Sequence, residues 1–473
     1  MATLDPELYF ATVAELHQKL IARQVSAVEL ARAFGARLQA LGPTYNALAL
    51  PLTARAVKQA KAVDGDLKRE RWRGPLQGIP FGAKDLLSVK GLVTTWGARP
   101  YAEQVFQEDA TVIQKLEKTG ALLIGKLAMV ELAGGGGYRL AGASLFGPGL
   151  NPWDRTRWSG GSSSGAASAV AAGLAPFALG SETSGSILTP AAFCNVTALR
   201  PTYGLVSRHG AMPLAWTLDK IGPMCRSAQD CGLVLAAIAG GDRNDPGSAG
   251  KSFYYTPEYA RPLADLKMGY AATDFSDWAQ PEARSAFAEA LAVLGQMGLP
   301  PRETALPDFP FGAIIGAIIG VEGAASFEKL VSSGRVDQLA DPRQAAGLRA
   351  GAEIPAMLYL KAMQARALVQ EGFRRIFADY DVLVAPARLT IAPKISEPLD
   401  AESPKPAAKV GMTGLIQAGN LAGLPALCLP CGFAAGMPVA LQLVGNPFSE
   451  NTLLAIGREF QKRTDWHRRR PPL

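Results

Sequence analysis

Histidine is scarce in this chain of 473 residues, which contains only His17, His209 and His467. His17 lies in a polar helical segment and His467 in a basic C-terminal segment, so we expect both side chains to be solvated. His209 is then the one histidine that could serve a serine nucleophile as its base, with Ser163 as the partner. A base of another residue type must therefore be considered.

Cysteine is also sparse, and an odd number of cysteines in apolar settings predicts reduced, buried thiols of a cytoplasmic protein. The five are Cys194, Cys225, Cys231, Cys428 and Cys431. The last two have C-x-x-C spacing, but they lie in an apolar strand-like run with no second cysteine pair. This pattern predicts packing rather than zinc binding, and no metal site is expected.

Long hydrophobic runs are missing as well. The apolar segment from Phe309 to Val321 has 13 residues, fewer than the roughly 20 that cross a bilayer. Prolines in front of it and Glu322 behind it favour a packed helix rather than a membrane span. The start of the chain, MATLDPELYF, has neither a basic segment nor an apolar core, so no secretory signal and a cytoplasmic location are expected.

The composition that remains is that of a globular enzyme with a sizeable core, because 48% of residues are hydrophobic and 19% are charged. The net charge of +7 is modest for this length. Part of it comes from basic residues at 462–463 and 468–470, which we interpret as a solvated C-terminal tail. No nucleic-acid partner is expected.

The most informative stretch runs from Arg157 to Cys194 and contains two clusters of serine and glycine, residues 160–165 and 181–186. The alanine-rich run between them predicts a helix whose side chains are small because a neighbour packs closely. Gly173 would end this helix, and residues 176–179 then form a short buried strand. Both serine clusters are therefore predicted to be rigid loops rather than flexible linkers.

The second serine cluster precedes a predicted helix with Pro190 in its first turn. Unpaired backbone N–H groups collect at a helix start, and glycine lets a substrate approach closely. The candidate oxyanion hole therefore consists of the backbone N–H groups of Thr183, Ser184, Gly185 and Ser186. A serine at this place is a candidate nucleophile if a base lies within reach.

Lys84 is the strongest candidate for that base, because it interrupts the apolar run of residues 78–87 although lysine is rarely buried. Desolvation lowers the pKa of a lysine and can leave the amine neutral enough to accept a proton. A structural ion pair with Asp85 or a neighbouring residue is the alternative. The residues alone leave both interpretations open.

Three segments together, GIPFGAKDLLSVKG, GGSSSG and GSETSGSILTPAAFC, resemble the amidase signature family, as do residues 151–154 and 436–445. The resemblance covers roughly residues 10–245 and 410–460. It implies an α/β fold with a central mixed β-sheet covered by helices on both faces, and no cofactor. It also implies a Ser-cisSer-Lys triad whose matching positions are Ser186, Ser162 and Lys84.

Departures from the family pattern bear on the substrate. Glu182 and Leu188 stand where family members often carry Asp and Arg, and Ser164 and Ser184 where they often carry Gly. Without that Arg, residue 182 loses an expected ion-pair partner, and the nucleophile loses a nearby cation. This favours a stand-alone hydrolase, such as an aryl-amidase, fatty acid amide hydrolase or urethanase, which cleaves uncharged, partly apolar or aromatic amides or carbamates. The alternative is a glutamyl-tRNA amidotransferase A-type subunit that works in a complex.

Candidate substrate-binding residues lie beside the proposed nucleophile, and we expect a small-molecule amide or carbamate to contact Gly135, Gly136, Tyr138, Ile187 and Leu188. A monomer or homodimer is expected.

The chain is divided into four predicted parts. Residues 1–62 show helical periodicity and form N-terminal helices packed on the core. From residue 76 onwards short apolar strands alternate with helices, which indicates an α/β core, 63–245, that carries the triad. Residues 246–409 form a variable helical lid and entrance region, and 410–473 complete the core and end in the basic tail.

Overall fold

The computed structural model describes residues 4–134, 138–259, 261–401 and 411–472. Within these ranges a mixed sheet of 11 strands lies at the centre and helices cover both of its faces, which confirms the predicted fold class. Strands β4 and β5 form a separate two-stranded sheet. The strands are β1 Leu48–Pro51, β2 Pro80–Lys84, β3 Leu122–Leu127, β4 Leu150–Asn151, β5 Asp154–Trp158, β6 Phe177–Glu182, β7 Thr197–Arg200, β8 Lys220–Cys225, β9 Met268–Tyr270, β10 Arg302–Glu303, β11 Val382–Pro386, β12 Ala426–Ala434 and β13 Met437–Gly445.

The α-helices of the same ranges pack against this sheet and against one another. They are α1 Val13–Ile21, α2 Ala27–Leu41, α3 Thr53–Lys68, α4 Thr111–Lys118, α5 Ser164–Ala171, α6 Leu188–Cys194, α7 Ala228–Ile238, α8 Arg284–Gln296, α9 Phe311–Ser326, α10 Glu328–Ser332, α11 Pro342–Ala352, α12 Ala356–Asp379, α13 Leu415–Ala422 and α14 Glu450–Arg463. None of the helices in the described ranges is long and apolar enough to cross a membrane.

The strand order is β1-β3-β2-β6-β8-β7-β12-β13-β11-β9-β10. Strands β3, β2 and β6 run parallel to one another, whereas β8, β7, β12 and β13 pair antiparallel with their neighbours. Strands β2, β3 and β8 are buried along their whole length, and β6 is buried at all but one position, so their sequences are nearly continuous apolar runs. The sheet takes strands from all four predicted parts of the chain, including β9, β10 and β11 from the region interpreted as a lid.

The N-terminal helices form as the sequence predicts. Ser26 caps α2, and its hydroxyl and Glu29 form a reciprocal capping box. Thr12 and Glu15 form a second capping box at α1. Strand β1, at the edge of the sheet, was not predicted in this part of the chain, because its four residues are too short to show a strand period.

Helix α5 shows why the run between the serine clusters consists of small residues. All of its residues are buried. A Cβ atom added at Gly165 would lie 2.5 Å from the Ala47 carbonyl oxygen and 2.7 Å from the Ala128 nitrogen. Gly173 follows the helix with a φ of 66° and allows the chain to turn into β6. Helix α5 and the loop before it are therefore held tightly against the sheet.

The basic C-terminal tail is not as solvated as the sequence predicts. His467 is only 6% exposed, and burial lowers its pKa to about 4. The Asn195 side chain donates a hydrogen bond to the Trp466 carbonyl oxygen. Arg470 pairs with Glu7 near the other end of the chain. The expectation of a solvated His467 is therefore wrong, because these contacts dock the tail on the body of the protein.

Candidate active site

Two parallel neighbouring strands bring the predicted base and nucleophile to one edge of the sheet. Lys84 is the last residue of β2, and Glu182 is the last residue of β6. Because β2 and β6 run parallel, their carboxyl ends lie side by side. The loop that follows β6 carries Ser186, and the loop before α5 carries Ser162. The topology thus collects the three triad candidates from segments far apart in sequence.

The Lys84 amino group is surrounded by hydroxyl groups. Its side chain is 0% exposed, and its Nζ lies 2.7 Å from the Ser162 Oγ. The same Nζ lies 3.0 Å from the Ser163 Oγ and 2.9 Å from the Ser181 Oγ. Burial lowers the pKa of Lys84 to about 7, against the opposing charges of Asp219 and Glu182. A lysine with this pKa can accept a proton near neutral pH.

The structural alternative for Lys84, an ion pair with Asp85, does not form. Asp85 pairs with Lys126, whose Nζ lies 2.8 Å from its carboxylate. The Asp85 carboxylate also accepts hydrogen bonds from the backbone and side chain of Thr95. The carboxylate that could have kept Lys84 charged is therefore occupied elsewhere.

The two serine clusters meet at the nucleophile candidate. The peptide bond between Gly161 and Ser162 is cis, as the resemblance implies for a Ser-cisSer-Lys triad. The Ser163 backbone N–H donates to the Ser186 carbonyl oxygen over 3.2 Å. Ser162 and Ser186 are 0% and 3% exposed. Both hydroxyl groups are therefore held in a site from which bulk water is nearly excluded.

Tyr138 makes the closest polar contact to the nucleophile candidate. Its hydroxyl lies 2.6 Å from the Ser186 Oγ. Burial raises the pKa of Tyr138 to about 12, although hydrogen bonds with Ser186 and Ser162 act in the opposite direction. The phenol therefore stays protonated at any working pH and presents a neutral hydroxyl to both serines. Tyr138 was predicted as a substrate-binding residue, and the structure places its hydroxyl in contact with the candidate nucleophile.

The backbone N–H groups of the predicted oxyanion hole are open. Among the described residues, no hydrogen-bond acceptor lies opposite the N–H groups of Thr183, Ser184, Gly185 and Ser186. The next two N–H groups, of Ile187 and Leu188, both donate to the Glu182 carboxylate. Gly185 has a φ of 95°, a conformation that favours glycine. The turn around Gly185 therefore leaves donors free for a developing oxyanion.

Glu182 fixes this loop from inside the protein. The Arg200 Nη1 and the Asn420 amide both donate to its carboxylate over 2.8 Å. Burial raises the pKa of Glu182, but Arg200 and Asn420 outweigh this effect and hold the pKa below its usual value. The expectation that Leu188 leaves residue 182 without an ion-pair partner is therefore wrong, because Arg200 on β7 supplies the cation.

The Ser163–His209 pair is not formed. The Ser163 Oγ contacts Lys84 and donates to the Ser181 carbonyl oxygen. The His209 Nε2 lies 3.4 Å from the Glu108 carboxylate. The geometry thus brings a lysine, and not a histidine, to the serine clusters.

The other predicted substrate-binding residues lie in different places. The side chains of Ile187 and Leu188 are 0% exposed and lie in the main hydrophobic core. Gly135 and Gly136 lie outside the described residues. A cavity of about 190 Å³ lies beside the Ser186 side of the site, and the residues that contribute to its wall include Tyr138, Trp158, Thr189, Phe193 and Arg388. Tyr138, Trp158 and Phe193 form the aromatic part of its wall.

Several contacts of this site were not predicted from the sequence. Ser163 and Ser181 belong to the recognised clusters, but nothing in their spacing indicates that both contact Lys84. Arg200 is buried at the end of strand β7, and Asp219, which is partly exposed, directly precedes strand β8. The only sequence signal for them is a charge interrupting an apolar run, the same signal that identified Lys84.

Comparison with known proteins identifies the family of this chain. A family model described as Amidase matches residues 29–454. The chain belongs to the amidase signature family. It is therefore an enzyme that acts on C–N bonds, as predicted.

Relatives of known sequence and structure extend along the whole chain. The glutamyl-tRNA(Gln) amidotransferase A subunit of Moorella thermoacetica is 37% identical to this chain, and the alignment covers 99% of each of the two chains. The solved peptide amidase of Stenotrophomonas maltophilia is 30% identical, with a TM-score of 0.83 and 98% of each chain covered. A chain of a vestigial protein complex linked to the origins of an s-triazine catabolic enzyme is also 30% identical, with a TM-score of 0.86, 96% of this chain and 98% of that chain covered.

Proposed function

We propose that this amidase cleaves the C–N bond of a carboxamide through Lys84, Ser162 and Ser186. The observation that carries the proposal is the 2.7 Å contact between the Lys84 Nζ and the Ser162 Oγ, made by a buried lysine whose pKa lies at about 7. A neutral amine in this position can accept the Ser162 proton, and Ser162 can in turn accept the Ser186 proton.

In the acylation step, the Ser186 Oγ forms a bond to the carbonyl carbon as its proton passes to Ser162 and the Ser162 proton passes to Lys84. The carbonyl oxygen becomes an oxyanion and accepts hydrogen bonds from the N–H groups between Thr183 and Ser186. Ser162 then donates a proton to the leaving nitrogen, recovers one from Lys84, and the C–N bond breaks. Water attacks the acyl-enzyme by the same proton route and releases the acid.

The relatives favour a role as an amidotransferase A-type subunit, which would release ammonia from an amide donor for use in a complex. The relatives that support this are named as subunits and match the chain over nearly its full length. The sequence argument against this role was the missing cation at Leu188. Arg200 pairs with Glu182 instead, so the part of that argument that concerns the ion pair no longer holds. Partner chains are accordingly part of the proposal.

A stand-alone hydrolase of apolar amides or carbamates is the second candidate. The aromatic surroundings of Ser186 support it, since Tyr138 packs on Trp158 with ring centroids 5.3 Å apart, and Phe193 borders Trp158. The similarity to the Stenotrophomonas maltophilia peptide amidase supports the same candidate. A carbamate carbonyl fits the same attack geometry as an amide carbonyl.

One experiment separates the two candidates. The purified single chain is given glutamine, a peptide amide, an acyl anilide and an aryl carbamate, and the release of ammonia or aniline is measured. The Ser186→Ala variant is the control for each substrate. Turnover of the anilide or carbamate by the chain alone supports the stand-alone hydrolase.

Ammonia release that requires added amidotransferase partner chains supports the A-type role. Equal turnover by the wild type and by Ser186→Ala on every substrate would contradict the proposed nucleophile.

A further inference from the structure

A cavity of about 390 Å³ lies beside Ser181, which contacts Lys84, and neither Ser162 nor Ser186 contributes to its wall. Ser181 and Thr183 form part of its wall, together with apolar residues that include Leu86, Met212 and Ile221. A cavity of this size holds several water molecules, each of which occupies about 30 Å³ in the liquid. It is therefore large enough for water to reach Ser181, near the carboxyl end of strand β6.

Ser181 is the link between this cavity and Lys84. Three side-chain hydroxyls contact the Lys84 Nζ, those of Ser162, Ser163 and Ser181. Ser162 and Ser163 are 0% exposed, whereas Ser181 is partly exposed. The lysine is thus separated from solvent by a single hydroxyl group on this side.

The other two hydroxyls cannot provide this connection. The Ser163 Oγ donates to the Ser181 carbonyl oxygen and accepts from the Ser181 N–H, so both of its capacities are used within the protein. Ser162 belongs to the proposed proton path toward Ser186, and its side chain is 0% exposed. Of the three hydroxyl-bearing residues that contact the lysine, only Ser181 lines this cavity.

We infer that Ser181 is a proton-exchange and positioning residue, through which Lys84 equilibrates with water in this cavity while substrate occupies the site. The inference rests on the proposed function, in which Lys84 is the base. As Lys84 loses a proton, an N–H bond breaks and an O–H bond forms on Ser181. The original Ser181 hydrogen passes to a cavity water, so Ser181 ends as a hydroxyl and the proton reaches bulk solvent.

Charged groups surround the path from Lys84 through Ser181 to the cavity, but they form ion pairs and hydrogen bonds with other residues. Arg208 pairs with Asp245 over 2.6 Å. The Asp219 carboxylate accepts hydrogen bonds from Thr183 and from two backbone N–H groups. The titratable and charged groups that face Lys84 or line the cavity are Glu182, Asp219, Lys220, Arg208, His209 and Asp245. The Ser181 hydroxyl is the one among the lining groups that contacts the lysine.

The first test measures access. Ser181→Cys is treated with 2-aminoethyl methanethiosulfonate, before and after Ser186 is blocked with phenylmethanesulfonyl fluoride, and labelling is followed by mass spectrometry. All five native cysteines are buried, so the background is low, and Ser163→Cys is the unexposed control. The inference predicts labelling of Ser181→Cys at rates that agree within twofold with and without the block.

A fall of more than tenfold after the block would overturn the inference, because access would then run through the substrate site. Labelling of Ser163→Cys as fast as Ser181→Cys would overturn it too. If the sulfonyl fluoride modifies no residue at position 186, the proposed nucleophile fails instead, and that result is seen separately in the same spectra.

The second test measures the pH profile of kcat/KM for the wild type, Ser181→Ala and Ser181→Thr. Removing the hydroxyl takes a hydrogen-bond acceptor from the charged lysine, so the acid limb of Ser181→Ala should move at least half a pH unit lower, with a plateau about tenfold lower. Ser181→Thr keeps the hydroxyl and should retain the wild-type profile. An unchanged profile in Ser181→Ala, or a lower plateau with an unmoved limb, would overturn the inference.

Discussion

Two lysines on neighbouring strands are both 0% exposed, and yet their surroundings differ. Lys84 ends β2 and Lys126 lies in β3, and the register pairs Ala83 with Lys126 and Lys84 with Leu127. Since paired residues of a parallel ladder point to the same face, the two lysines lie on opposite faces of the sheet. Burial alone therefore does not distinguish them.

Their partners do. The Lys126 Nζ lies 2.8 Å from the Asp85 carboxylate and 2.7 Å from the Thr94 hydroxyl. Burial lowers its pKa, and the Asp85 charge opposes that effect at contact distance. Lys84 contacts only neutral oxygen atoms, and the charges that oppose its desolvation make no contact with it. The hydroxyl neighbours of Lys84 leave its pKa lowered, as the proposed role of a base requires, whereas the Asp85 carboxylate favours the charged form of Lys126.

The largest expected effect comes from exchanging each lysine for an uncharged residue of similar length. Lys84→Met should lower kcat/KM on an amide by about 10³-fold, because general-base catalysis contributes 10²- to 10⁴-fold. Lys126→Met serves as the matched control and should keep its active site geometry in the fraction that stays folded. Equal loss of turnover in the two variants, measured with folded protein, would remove the distinction between them.

Stability should respond in the opposite order. Lys126→Met leaves the Asp85 carboxylate buried without its cation, which should lower the free energy of unfolding by about 3–5 kcal/mol. Adding Asp85→Asn should recover part of this loss, because the charge is then removed. Urea unfolding of the single and double variants measures both values. A larger loss in Lys84→Met than in Lys126→Met would contradict the ion-pair assignment.

The pH dependence follows from the lowered pKa of Lys84. Because its pKa lies at about 7 rather than at its ordinary 10.5, the neutral base forms as the pH rises through 7. The value of kcat/KM should therefore fall about tenfold for each pH unit below 7 and level off above it. A flat profile down to about pH 5 would show that no lysine acts as the base.

The smallest of these effects is expected at Tyr138. Tyr138→Phe keeps the ring packed on Trp158 but removes the hydroxyl that lies 2.6 Å from the Ser186 Oγ. Losing one hydrogen bond of about 1.4 kcal/mol to the reacting oxygen should lower kcat about tenfold. The KM should change little. Steady-state kinetics on one anilide measures both, and an unchanged kcat would limit Tyr138 to substrate contact.

The sequence was sufficient for those features that depend on local pattern. The helix period predicted α1 and α2, the spacing of Ser26 and Glu29 predicted the capping box at α2, and the small residues before Gly173 predicted the tight packing of α5. The resemblance supplied the order of Lys84, Ser162 and Ser186. These features are encoded within about twenty residues of each other or within a recognised segment.

Pairings between distant segments could not be read in the same way. Arg200 reaches Glu182 because β7 and β6 both pair with β8. No local sequence pattern predicts this ion pair. Asp85 forms its ion pair with Lys126 and not with Lys84, its neighbour in sequence. Which lysine it pairs with depends on the face of the sheet that each side chain occupies. His467 is buried because the tail docks on residues near Asn195, which composition alone cannot indicate.

The most direct test of the distinction between the two lysines is a measurement of their charge. The protein is labelled with lysine carrying ¹³C at Cε, and the Cε resonances are followed by NMR from pH 5 to pH 10, with Lys84→Met and Lys126→Met providing the assignments. The resonance absent from Lys84→Met should titrate with a midpoint of about 7. If that resonance shows a charged amine up to pH 9, Lys84 is not a neutral base near pH 7, and the proposed catalytic role of the lysine is wrong.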